Sequence, residues 1–201
     1  MTKNLIERLN KGPVLCAEGY LFAMERRGYL QAGAFVPEVV LEHPEVVSQL
    51  HREFIRAGSD VVQAFTYYGH REKLRIIGKE SLLESLQKNA LKLAKDARNE
   101  FKELDLLVCG DVANTNVYDP SDKKTNIECQ KMFEEQVAWA KEAGVDFIIA
   151  ETITWLEEAK IALKTIKDAG LIAVSNLSIK KGDKTRDGYT PEDACKILED
   201  N

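Results

Sequence analysis

The stretch Glu142-Ala-Gly-Val-Asp-Phe-Ile-Ile-Ala150 closes one kind of segment with a glycine and opens another two residues later. The same device recurs as Arg56-Ala-Gly-Ser-Asp-Val-Val62 and as Asp168-Ala-Gly-Leu-Ile-Ala-Val174. A glycine at this place accepts the left-handed backbone that ends a helix, and the apolar run after it reads as a buried strand. Short helix-to-strand loops of this kind, repeated along a chain, belong to alternating α/β architectures.

Working outward, the spacing predicts strands over Pro13–Ala17, Asp60–Tyr68, Leu104–Val112, Asp146–Thr152 and Leu171–Ile179. These runs are continuous rather than alternating, as in strands of a parallel sheet covered on both faces. Helices are predicted over His43–Ala57, Ser81–Leu104, Asn126–Ala143 and Trp155–Ala169. A last one opens at Thr190-Pro191, a capping hydroxyl followed by proline at the first helical position. Two architectures fit this alternation: an open doubly wound sheet, or part of a (β/α)₈ barrel. A complete barrel needs eight strands and about 250 residues. Five strands are counted in the 201 residues and the chain halts inside the fifth helix; as a barrel it would be about five βα units in one domain over residues 1–201, incomplete at its C-terminal end.

Composition narrows the function classes. The formal net charge is −5, which argues against a nucleic-acid or anionic-membrane footprint. No apolar run approaches the roughly 18–20 residues that span a bilayer, and the charged opening Met1–Asn10 does not read as a signal peptide. Cys16, Cys109, Cys129 and Cys195 form no C-x-x-C pair. They are expected to be reduced, small buried hydrophobes in a cytoplasmic protein. His43, His51 and His70 are expected to be solvated or capping, and Trp139 and Trp155 to pack at helical spacing. There is no G-x-G-x-x-G and no G-x-x-x-x-G-K to cradle phosphates.

In both architectures ligands sit beyond the carboxyl ends of the strands. The polar residues there are Glu18 and Gly19, then Gln63 to Gly69, then Gly110-Asp111 and Asn114 to Asn116, then Glu151-Thr152, and Asn176 with the loop Lys180–Gly188. Glu151 ends an apolar run, and a carboxylate so placed must be paired or hydrogen-bonded. An ammonium group on a ligand would serve. Glu18 shares that placement, and Gly19 allows close backbone approach. Phe65, Tyr67 and Tyr68 gather at one strand end, where aromatic faces can hold a quaternary ammonium. In an extended strand only one of the two adjacent tyrosines would face the interior.

Several longer stretches resemble the zinc-dependent betaine–homocysteine S-methyltransferases. They are Ile6–Asn10 with Gly19–Gly33, Glu42–Gly58 followed by Gln63-Ala-Phe-Thr-Tyr-Tyr68, and Asp146–Ala159. The resemblance implies the (β/α)₈ barrel and a methyl transfer from glycine betaine to homocysteine, giving methionine and dimethylglycine. It implies that Glu151 holds the homocysteine amino group, that Tyr68 and a neighbouring aromatic at Tyr67 belong to the betaine pocket, and that Gln63 opens that motif. Phe35 stands where relatives carry a tryptophan.

Two departures are expected to matter. Relatives carry Asp-Gly-Gly where this chain has Ala17-Glu18-Gly19, so the acid moves one position along. The resemblance also implies zinc held by three cysteine thiolates, and all three would fall beyond Asn201. On that reading the chain is the N-terminal part of the enzyme and inactive alone. The alternative is a non-catalytic binding or interaction protein derived from the same fold, its sheet edges covered by self-association or by a partner.

Overall fold

The computed structural model describes residues 4–30, 36–179 and 182–201. Helices α1 (Leu5–Leu9), α2 (Tyr20–Arg26), α3 (Val39–Glu42) and α4 (Pro44–Arg56) precede strand β1 (Val61–Gln63). Then come α5 (Arg71–Ile76), α6 (Leu83–Glu100), β2 (Leu107–Ala113), α7 (Lys124–Ala143), β3 (Phe147–Ile153), α8 (Leu156–Asp168), β4 (Ile172–Leu177) and α9 (Pro191–Glu199). The strands are parallel and lie in the order β1-β2-β3-β4. Sequential order without reversal is the wall of a barrel; a doubly wound sheet reverses at a switch point. The fold is the (β/α)₈-barrel type.

The glycine device holds at all three places. Gly58, Gly144 and Gly170 have φ of +102°, +72° and +79°, and each follows a helix by one or two residues. Thr190 caps α9 by accepting from the Asp193 N–H at 3.1 Å.

The first expected strand is corrected. Pro13–Ala17 contributes one parallel bridge, Cys16 to Val61, rather than a strand. Side chains take the place of part of the ladder: Asp60 Oδ2 accepts from the Leu15 N–H at 2.8 Å, and Ser59 Oγ from the Ala17 N–H at 3.0 Å. The second run is extended only over Val61–Gln63. It then turns, with the Thr66 N–H bonded to the Ala64 carbonyl and the Gly69 N–H to that of Thr66. The five expected βα units are therefore four strands and a bridge among the described residues. Helix α2 was not expected from the sequence; two turns with Tyr20 and Met24 buried are too short to show a period.

Strand parity divides the core. Val62, Val108, Val112, Ile148 and Ala150 point outward and pack with Leu91, Ala94, Phe133, Val137, Ala159 and Ile166 of the helical layer. Gly110 lies on that side. A Cβ there would stand 3.1 Å from Ala140 Cβ and 3.3 Å from Ile148 Cγ1, so its missing side chain lets α7 approach the sheet. Val61, Leu107, Cys109, Phe147 and Ile149 form the inner cluster with Leu5. Gln63, Asp111 and Glu151 share the parity of this inner set on β1, β2 and β3, which brings three polar side chains to one mouth.

Candidate active site

A cavity of about 230 Å³ opens at the carboxyl ends of the strands. Its polar lining is Glu18, Gln63, Tyr67, Asp111, Glu151 and Thr152, and Tyr20, Phe22 and Phe65 wall it. A larger hollow of about 430 Å³ lies between α6 and α7, among Lys88, Lys92, Lys95 and Trp139. It sits on the outer helical layer, away from the strand ends where this architecture places chemistry.

Glu151 is half-buried, and Gln63 Nε2 donates to its Oε1 at 3.2 Å. The other end of the Gln63 amide accepts from the Cys16 thiol at 3.8 Å. Burial pushes the Glu151 carboxyl above the ordinary carboxylate range and the Glu18 charge adds to this, while hydrogen bonds from Asp111 and Gln63 oppose it. No lysine or arginine lines the cavity among the described residues.

Asp111 was noted in the sequence only as one of several polar residues after the third run. In the structure it is 3% exposed, and among the described residues neither of its carboxylate oxygens has a hydrogen bond of ordinary geometry. Burial, then the charge and proximity of Glu151, drive its carboxyl well above the usual range, with the Gln63 amide nearby pulling the other way. A buried carboxyl without a cation prefers to keep its proton.

Tyr67 lines the cavity, and Thr152 Oγ1 donates to its hydroxyl at 3.2 Å. Burial raises this phenol too. Tyr68 does not line the cavity. Its ring lies 4.2 Å from that of Tyr67, centre to centre, and Lys73 Nζ sits 4.0 Å over its face. The expected alternation of the two tyrosines fails because the strand has already ended: Tyr68 has φ +57°. Thr152, a β-branched residue, has φ +56° beside a register shift between β3 and β4. Left-handed backbone at such a residue is strained and gathers at functional sites. Gly19, at φ +89°, starts α2 and carries Glu18 to the cavity mouth. Phe35 and Lys180 lie outside the described residues.

Two groups sit elsewhere than the sequence suggested. His51 is fully buried rather than solvated. Its Nδ1 and the Tyr20 hydroxyl lie 2.9 Å apart behind the cavity wall, and burial lowers it to about 3. Its helix is amphipathic, and it falls on the inward face with Val47, Leu50 and Ile55. His70 does cap α5, weakly, but is buried and lowered to about 4. Of the thiols, Cys109 and Cys129 are buried and Cys16 partly so, while Cys195 is exposed. Among the described residues no three histidine, cysteine or acidic side chains converge as metal ligands do. This donor set does not fit a zinc ion.

No described helix is long and apolar enough to cross a membrane. The profile of the homocysteine S-methyltransferase family matches residues 19–201. The betaine–homocysteine S-methyltransferase 1 of Mus musculus is 40% identical over 179 residues, which cover 88% of this chain and 44% of that protein. The Xenopus tropicalis protein of the same name is 38% identical over 202 residues, 98% of this chain and 48% of its own. The chain thus spans a little under half the length of these curated relatives. Among solved structures, the metallated homocysteine methyltransferase MmuM from Escherichia coli superposes with a TM-score of 0.80 at 21% identity. That match covers 96% of this chain and 73% of MmuM, and it supports the shared fold. The chain belongs to the homocysteine S-methyltransferase family.

Proposed function

We propose that residues 1–201 form one homocysteine-binding domain, and that the whole protein transfers a methyl group from glycine betaine to homocysteine. The observation that carries this reading is Glu151: a carboxyl at the strand ends, braced by Gln63, in a cavity with no lysine or arginine among its described lining residues. An α-ammonium group supplies the missing charge. Family membership and the names of the mouse and frog relatives favour homocysteine and betaine as the substrate pair.

In the reaction a C–S bond forms at the homocysteine sulfur as the methyl C–N bond of betaine breaks. The nitrogen keeps the electron pair, the thiol proton leaves, and methionine and dimethylglycine result. The residues here contribute recognition and dryness. Gln63 fixes the Glu151 oxygen that faces the ammonium. Tyr20, Phe65 and Tyr67 keep water from the amino-acid site, with Glu18 and Gly19 at its mouth. The family resemblance assigns the onium to Tyr68, whose ring packs on the cavity-lining Tyr67, and to Phe35; an aromatic face attracts an onium without a counter-charge. The free thiols suit a cytoplasmic setting.

Calorimetric titration with L-homocysteine tests the reading. Glu151→Gln is expected to weaken binding by about tenfold or more, the worth of a charge-assisted hydrogen bond. Equal affinity would overturn the role of Glu151. For the donor, Tyr68→Ala is titrated with glycine betaine, and unchanged affinity removes Tyr68 from the onium site.

A further inference from the structure

The structure assigns Asp111 as a second carboxyl for the ligand ammonium, one that shares a proton with Glu151 in the empty cavity and releases it to solvent when an α-amino acid binds. The inference rests on the reading of Glu151 above and adds to it a residue and a proton.

Three observations lead there. Asp111 lines the same cavity as Glu151, from the neighbouring strand. It is 3% exposed, yet among the described residues neither oxygen has a hydrogen bond of ordinary geometry, and the nearby Gln63 amide is engaged by Glu151 and Cys16. A buried carboxylate left so is costly, whereas a carboxylic acid can donate its own proton to the facing Glu151. The charged and titratable groups facing it are Glu151 from β3, Glu18 from the segment before α2 and the Cys109 thiol of its own strand, with the neutral Gln63 amide from β1. All the charges among them are negative, so among the described residues only a proton or a ligand cation neutralises the pair.

The balance is simple. The empty site holds one proton between two carboxyls. A ligand R–NH₃⁺ enters and donates hydrogen bonds to both. The Asp111 O–H bond breaks, its electron pair stays on oxygen, and the proton passes to water. One positive charge arrives and one leaves. An uncharged ligand of the same shape cannot displace the proton, so Asp111 selects for the ammonium group.

The test uses L-methionine, which carries the α-ammonium and has no ionisable thiol. Titration calorimetry at pH 7 in phosphate and in Tris, buffers of unlike ionisation heat, counts protons released per ligand bound. The wild-type chain is expected to release close to one and to bind more tightly as pH rises. Asp111→Asn is expected to release none, to lose that pH dependence and to bind about tenfold more weakly. Asp111→Ser serves as a second variant, and circular dichroism checks that both fold. Proton release that persists in both variants, or a wild type that binds L-methionine without releasing a proton or does not bind it, overturns the assignment. The Glu151→Gln titration with L-homocysteine stands apart: its failure sinks the earlier reading, while success there with unchanged Asp111 variants sinks only this one.

Discussion

Gln63 Nε2 donates to Glu151 Oε1 at 3.2 Å, joining residues 88 positions apart on strands that are not neighbours in the sheet. The bond bridges over β2 across the inner face. It fixes the carboxyl while the other end of the amide is held by Cys16. Gln63→Leu keeps approximate size but removes the donor. L-homocysteine affinity is expected to fall by about tenfold, as for one hydrogen bond to a charged group. Titration calorimetry reads it, and an unchanged dissociation constant would show that the brace does not orient Glu151.

Acid is expected to unfold the protein in a window set by two buried histidines. The folded values are about 3 for His51 and about 4 for His70, both below the ordinary 6.5. Below pH 6.5 the unfolded chain takes up protons that the folded chain refuses. Stability is therefore complete above 6.5 and is lost as pH falls through about 4 and then 3. Each histidine contributes at most about 1.4 kcal/mol per pH unit within its window. Thermal melts between pH 7 and 4 should show Tm falling, and His51→Gln, which can still accept from Tyr20, should reduce the slope. A slope equal to wild type would refute the role of His51.

Gly110→Val should loosen the seam between α7 and the sheet. Its Cβ would crowd Ala140 at 3.1 Å and Ile148 at 3.3 Å. Overpacking of this kind costs about 1–3 kcal/mol. For a domain of this size each kcal/mol lowers Tm by about 2–4 °C. Scanning calorimetry would measure it, and a Tm within a degree of wild type would contradict the close approach.

The four thiols should separate cleanly by reactivity. Cys195 is exposed, whereas Cys109 is buried and held well above its usual range by burial. Cys129, also buried, is pushed up to about 11. Thiolate character and access together set the rate. Timed alkylation followed by mass spectrometry should label Cys195 first, Cys16 next, and the other two only with denaturant. Early labelling of Cys109 would mean that the inner face opens in solution.

Much of the fold was legible in the sequence because the helix-to-strand junctions carry their chemistry locally. Gly58, Gly144 and Gly170 mark helix ends without reference to anything distant, and β2, β3 and β4 fell within a few residues of expectation. Pro13–Ala17 misled because side chains of Ser59 and Asp60, more than 40 positions away, replace part of its ladder and leave a single bridge. Glu151 was legible as a carboxyl closing an apolar run. Asp111 was not distinguished from its neighbours, since its isolation is a property of three strands together. The signal that could have found it is parity: it lies two residues after Cys109, on the face that buries Leu107. His51 could likewise have been placed inside by its helical register with Val47, Leu50 and Ile55.

Because each strand is bonded to the one made just before it, the wall can be laid down in the order of synthesis, every new unit docking on a finished template. The three residues at the mouth arrive at positions 63, 111 and 151 in that succession. A nascent chain therefore brings these three side chains together once β3 has joined, before α8, β4 and α9 have docked.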